Sequence, residues 1–173
     1  MCCGIGLDGV GNHAGPNTYP NGCMVCEVEV DTETGRVEVV SLAAMDDAGT
    51  IVNPLTLEGQ LHGSVAQGLG EALLEAVVHD RESGQLITGS FLDYAMPRAD
   101  DMPPMVSGNA PVPTLTNLLG VKGGSEAGNV GAPAAIINAI IDALAPLGVT
   151  DIPLPATPDT VWRTIRAATQ ATG

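Results

Sequence analysis

Three observations predict an α+β fold for this chain. Residues 24–30 and 36–42 alternate with period 2 around the turn Asp31-Thr32-Glu33-Thr34-Gly35, the mark of a β-hairpin. Apolar residues recur at helical spacing in three separated stretches. Glycine-rich polar loops lie between them and stay too open for a self-sufficient fold. Hairpins and separated helices in one chain define the α+β class.

The first 22 residues are rich in Gly, Pro and Asn and read as loop, or as the severed continuation of something upstream. Residues 1–18 are set apart as an irregular segment and 19–173 as one domain portion. In the first strand Met24, Cys26, Val28 and Val30 share one face, and Cys23, Val25, Glu27 and Glu29 the other. Val37 and Val39 carry the alternation back.

The stretch Ala48-Gly49-Thr50-Ile51-Val52-Asn53-Pro54 breaks the pattern before a helix of roughly residues 54–76. Leu57, Leu61, Val65, Leu69 and Leu73 form its apolar stripe. Gly59, Gly63, Gly68 and Gly70 lie within it, each costing up to about 1 kcal/mol relative to Ala. Close approach of another backbone or of a ligand is therefore expected there. A second hairpin is predicted from residues 77–79 and 85–88.

Residues 96–118 hold five prolines and read as an extended surface loop. The next helix is predicted to start near Pro133, a residue suited to a first helical position, and to stop before Gly148. Ile136, Ile137, Ile140, Ile141 and Leu144 form its face. Thr157-Pro158-Asp159 supplies a cap, a proline and a first-turn acid for a last helix reaching about Ala168, docked by Val161 and Ile165 with Trp162.

Composition narrows the function. Apolar residues are 45% of 173 but aromatics only 2%, so the core is built from Ala, Val, Leu and Ile. A net charge of −14 disfavours nucleic acid, whose binding depends on Lys and Arg neutralising phosphates. No run approaches the roughly 18–20 apolar residues needed to span a membrane. The start Met1-Cys2-Cys3-Gly4 lacks a basic and an apolar leader region, so a cytoplasmic location is expected. Cys23 and Cys26 form a C-x-x-C pair, but residues i and i+3 of a strand point to opposite faces. They are read as buried small hydrophobes rather than as metal ligands. His62 and His79 have no ligand-like spacing to nearby carboxylates or thiols and read as surface or core-edge residues.

Three polar, glycine-flanked segments could carry chemistry: Asp46–Pro54, Glu58–Gly63 with Gln67-Gly68, and the loop Gly120–Pro133. Glu126 is the only carboxylate between Asp101 and Asp142. Small residues surround it, so a ligand can approach closely. Glycine-rich turns expose N–H groups that cradle phosphate or pterin oxygens, and Asn and Gln read heterocycle edges. No segment matches a nucleotide-binding fingerprint.

In order, these segments resemble the C-terminal portion of the molybdopterin-binding large subunit of the xanthine dehydrogenase/aldehyde oxidase family, and within it the aerobic carbon monoxide dehydrogenase type. The resemblance is carried by Tyr19-Pro20-Asn21-Gly22-Cys23, by Asp47–Pro54, and by Glu58-Gly59-Gln60-Leu61-His62-Gly63. Thr88-Gly89-Ser90-Phe91-Leu92-Asp93-Tyr94 and Lys122-Gly123-Gly124-Ser125-Glu126-Ala127-Gly128 complete it.

The resemblance implies a molybdenum ion on molybdopterin, in the cytosine dinucleotide form, with FAD and 2Fe-2S clusters on partner subunits. It also implies oxidation of a small substrate (CO, an aldehyde or an N-heterocycle) with oxygen from water. Glu126 falls at the family's general base. A carboxylate in a dry, glycine-lined pocket has a raised pKa that suits it to this task near neutral pH. Gln60 falls at a pterin-bonding position, Thr50 and Asn53 in a cofactor-contacting turn, and Lys122, Gly123, Gly124 and Ser125 line the same side. Ser125 stands where the family commonly has glycine.

The family's large subunit is several times longer, so the chain is expected to be inactive alone and to need the remaining large-subunit half beside flavin and iron–sulfur subunits. The rival reading is a non-catalytic structural or interaction module, or an inactive gene fragment.

Overall fold

The computed structural model describes residues 9–12 and 14–171. Strands β1 (Asn21–Val30) and β2 (Val37–Asp47) form the predicted antiparallel hairpin, with a register shift between Glu27 and Val28. The alternation holds. Met24, Cys26, Val28 and Val30 face the core and the residues between them are exposed. A third strand, β3 (Met105–Asn109), pairs in parallel with β2, giving the order β1-β2-β3. This strand lies inside the stretch read as an extended loop. Its prolines cluster on either side and leave Met105–Asn109 free to donate.

Helix α1 (Pro54–Leu73) begins where the sequence indicates. Asn53 caps it, its Oδ1 accepting the Thr56 N–H at 3.2 Å, and Pro54 occupies the first turn. Gly68 and Gly70 meet close neighbours, as their cost in a helix suggests, whereas Gly59 and Gly63 have nothing within 4 Å.

Helix α2 (Ala127–Leu144) starts earlier than expected, so Pro133 lies inside it rather than at its first position. The proline removes one bond, to the carbonyl of Asn129, and its ring packs against Gly68 of α1. With the short 3₁₀ turn Ala145–Leu147, this segment forms 21 residues long and apolar enough to cross a membrane by length and composition alone. This corrects the expectation that no run is apolar enough to span: Asn129, Pro133, Asn138 and Asp142 interrupt the segment without lowering its average hydropathy below that mark. The inner residues Ala132, Ile136, Ile140 and Leu144 are buried in the core against α1 and the sheet.

Helix α3 (Pro158–Ala171) is started by Thr157, whose Oγ1 accepts the Thr160 N–H at 3.3 Å. Val161 and Ile165 dock it. Trp162 does not join them: it turns outward under Arg166, whose guanidinium sits 5.2 Å from the ring centroid. The second hairpin shrinks to one bridge, His79 with Leu86, because it has no sheet to extend and an isolated two-stranded ribbon is marginal in water.

Cys2 and Cys3 lie outside the described residues. Cys23 is exposed, contrary to the buried reading, while Cys26 faces inward and burial pushes its thiol up to about 11.

Candidate functional site

The end of β2 and the glycine loop before α2 are joined by backbone bonds. Gly49 bridges Val121, Thr50 N–H donates to the Gly120 carbonyl at 2.9 Å, and Lys122 N–H donates to the Ala48 carbonyl at 2.9 Å. Gly49 has φ +67 and packs so closely on Gly120 that a side chain would collide with its carbonyl.

Asp47 secures the junction. Its Oδ2 lies 2.5 Å from Lys122 Nζ, and its Oδ1 accepts the N–H groups of Gly49 (2.9 Å) and Val112 (2.8 Å). Lys122 is thus neither a solvated cation nor a free anion contact; its ammonium is engaged internally. The Lys122 hydrogen bond, with the Val112 and Gly49 N–H donors, pushes Asp47 down to about 2. Because the folded-state pKa is depressed, the stabilisation is present above the ordinary carboxylate range and lost as pH falls through about 2. Denaturation of Asp47→Asn against pH is expected to show a deficit at neutral pH that shrinks across that window. A pH-independent deficit would contradict this assignment.

The junction frames a cleft of about 420 Å³ lined by Thr50, Asn53, Gln60, Lys122, Gly124 and Ser125. Six of the seven residues expected to contact a cofactor therefore share one wall. Gly123 lies on the same loop with open space around it. Gln60 is exposed at the rim, on the α1 turn that follows Asn53.

Glu126 is not in this cleft. It is the N-cap residue of α2, makes no side-chain capping bond, and lines a neighbouring cavity of about 330 Å³ with Tyr19, Asn21, Asp46 and Val130. Consecutive residues Ser125 and Glu126 thus serve opposite sides of one loop. The dry pocket expected around Glu126 is not formed by the described residues, where the side chain is exposed. A glycine-rich loop has few side chains with which to cover it. His62 and His79 are both exposed, and no group of three or more His, Cys, Asp or Glu gathers for a metal among the described residues.

Sequence reasoning missed Asp46. It is only 6% exposed, and neither carboxyl oxygen has a hydrogen-bond partner among the described residues. Burial pushes its carboxyl up, opposite to its neighbour Asp47. The signal was available: Leu42, Ala44 and Asp46 occupy one phase of β2, so the carboxyl sits in the apolar register of the strand.

Residues 5–103 match the profile of the molybdopterin cofactor-binding domain. The chain belongs to this family. It is 43% identical over 145 residues to the nicotine 6-hydroxylase large subunit of Paenarthrobacter nicotinovorans, covering 84% of this chain and 18% of that protein. It is 34% identical over 162 residues to the carbon monoxide dehydrogenase large chain of Hydrogenophaga pseudoflava, covering 93% of this chain and 20% of the relative. The crystal structure of the Cu,Mo-CO dehydrogenase in its carbon monoxide reduced state superposes with a TM-score of 0.82 at 30% identity, over 86% of this chain and 19% of that one. The chain thus spans about a fifth of the length of these relatives. The α+β arrangement read from the sequence is that of a part of a molybdenum hydroxylase large subunit.

Proposed function

We propose that this molybdopterin-binding domain supplies one wall of a molybdenum hydroxylase active site, with Glu126 as its general base. The observation that carries the reading is the shared cleft of Thr50, Asn53, Gln60, Gly124 and Ser125, which ends one residue before Glu126. The donor set fits a pterin: the Gln60 amide, the Asn53 Nδ2 left free by capping, the Thr50 and Ser125 hydroxyls, and the open backbone at Gly123. Bound molybdopterin supplies the redox centre that accepts electrons from the substrate.

The roles of the chain's own residues are positional and protonic. Gln60 and Asn53 hold the heterocycle edge from the first two turns of α1. Lys122, locked to Asp47, keeps the loop rigid rather than meeting an anion. The Glu126 carboxylate, carried on the cap of α2, takes the proton from the water-derived oxygen as that oxygen attacks the substrate carbon. Because Glu126 is exposed on this chain, the rest of the large subunit closes its cavity and excludes water. The substrate is small, in the class of CO, aldehydes or N-heterocycles. The cofactor is the cytosine dinucleotide form, FAD and 2Fe-2S subunits relay the electrons, and the assembly is cytoplasmic.

The test is to assay molybdenum, pterin and dye-linked dehydrogenase activity in this chain with and without a polypeptide corresponding to the rest of the relatives' large subunit. All three are expected only in the combination. Turnover by the chain alone would remove the need for a completing polypeptide, and a combination that stays metal-free would favour a structural module.

A further inference from the structure

Asp46 has no role in the site as described, yet it is the most unusual polar group in the fold. The residue is only 6% exposed, and both carboxyl oxygens are buried without partners among the described residues. A buried polar group left unsatisfied costs roughly 1–3 kcal/mol, so such groups are rare without compensation. Backbone pairing fixes it on both sides: Asp46 is opposite Gly22 of β1 and Asn109 of β3, and its carbonyl accepts the Ala110 N–H at 2.8 Å. The close approach of Gly22 to Oδ1 leaves the side chain little room to swing away.

Asp46 borders two spaces. One is the cavity that Glu126 lines; the other is a void of about 10 Å³ bounded also by Ala48, Leu57, Gly124 and Ala127. Gly124 and Ala127 flank Ser125 and Glu126. The first N–H groups of a helix have no acceptor within it. In α2 Glu126 gives no side-chain cap, and Ser64 Oγ takes only the Gly128 N–H, at 3.1 Å. A volume of this size holds about one water, provided two or more polar partners are present.

We propose that Asp46 is the positioning residue for Glu126, acting through one internal water in this void that bridges its carboxyl to the first turn of α2. The water accepts the Ala127 N–H and hydrogen-bonds Asp46, removing an orphan at each end. The sheet is thereby tied to the residue that follows Glu126, which fixes the cap of α2 and the direction in which the Glu126 carboxylate leaves it. Burial pushes the Asp46 carboxyl up, and in either protonation state it can hydrogen-bond a water that accepts the Ala127 N–H.

The effect on turnover rests on the reading of Glu126 as base, but the tie itself does not, and the experiment addresses the tie. In the unmodified full chain, the Ala127 amide proton is expected to show a magnetisation-transfer contact to a long-lived water; its absence overturns the bridge. Amide hydrogen exchange then compares Asp46→Asn, which keeps a neutral donor and acceptor, with Asp46→Leu, which keeps only the bulk. Asp46→Asn is expected to match the wild type at Glu126 and Ala127. Asp46→Leu is expected to exchange there about ten- to a hundredfold faster, with the Ile136 and Ile140 amides unchanged as a folding control. Equal protection at Ala127 in all three, or equal loss in both variants, overturns the proposal. In the assembled protein, slower turnover in Asp46→Leu with rescue in Asp46→Asn would extend the tie to function.

Discussion

Replacing Glu126 with glutamine in the assembled protein is expected to lower turnover by about 10²–10⁴-fold, the usual contribution of a positioned general base, while molybdenum and pterin content stay at wild-type levels. The substitution is unusually clean here. Glu126 makes no side-chain capping bond to α2 and is exposed, so the amide removes no contact that holds the fold. Stability should stay within about 0.5 kcal/mol of the wild type, as for surface substitutions away from special features. Glutamine also keeps the shape that fills the cavity beside Tyr19 and Asn21. What disappears is a proton acceptor. The measurement is kcat and kcat/KM beside metal and pterin analysis on the same preparation. Loss of cofactor would assign Glu126 to binding, since the cofactor cleft lies across the loop, and unchanged turnover would end its candidacy as base.

Much of the fold was legible because it is local. The alternation of Met24 through Val30, the Asn53-Pro54 start of α1 and the Thr157-Pro158-Asp159 start of α3 each state their geometry within a few residues. What escaped was non-local. Strand β3 is defined by its parallel partner on β2, more than fifty residues earlier by the Leu42 to Met105 pairing, and a five-residue run among prolines carries no sign of that. The start of α2 escaped because Pro133 suits a first turn, whereas here the helix tolerates it against Gly68 of α1.

The site divides the same way. The residue types that gather in the cleft were readable from three glycine-flanked segments, since glycine, amide and hydroxyl groups suit a ligand wall. Their division across a loop was not. Whether Ser125 and Glu126 share a pocket depends on where α2 begins, and that was the element misjudged. The opposite fates of Asp46 and Asp47 likewise turn on strand phase: one residue faces the core and the next reaches Lys122.

Gly128→Ala is expected to be strongly destabilising, because it strikes the place where the site is joined to the core. Gly128 sits in the first turn of α2 against α1. A Cβ there would lie 2.6 Å from the Val65 nitrogen and 2.9 Å from the Ser64 carbonyl carbon. Those are backbone atoms inside a helix, so no rotamer change relieves the clash and the helices must separate. Separation opens the packing of Val65 and Ala132, both fully buried, and breaks the Gly128 N–H bond to Ser64 Oγ. Overpacking of this kind costs about 1–3 kcal/mol, and the lost bond, which strands the Gly128 N–H while Ser64 Oγ keeps its bond to the Leu61 carbonyl, about 1 kcal/mol more. For a chain of this size that corresponds to a fall in Tm of roughly 5–15 °C. Gly131→Ala, one turn further on, supplies the control. Its Cβ would meet the Met24 sulfur at 2.9 Å and its methyl at 3.2 Å, the far end of a flexible side chain that can move aside. Thermal denaturation should therefore separate the two alanines clearly, although both replace a helical glycine and both gain in helix propensity. If Gly128→Ala melts with Gly131→Ala, the α1–α2 contact is looser than described, and the register that carries Glu126 is not fixed by this crossing.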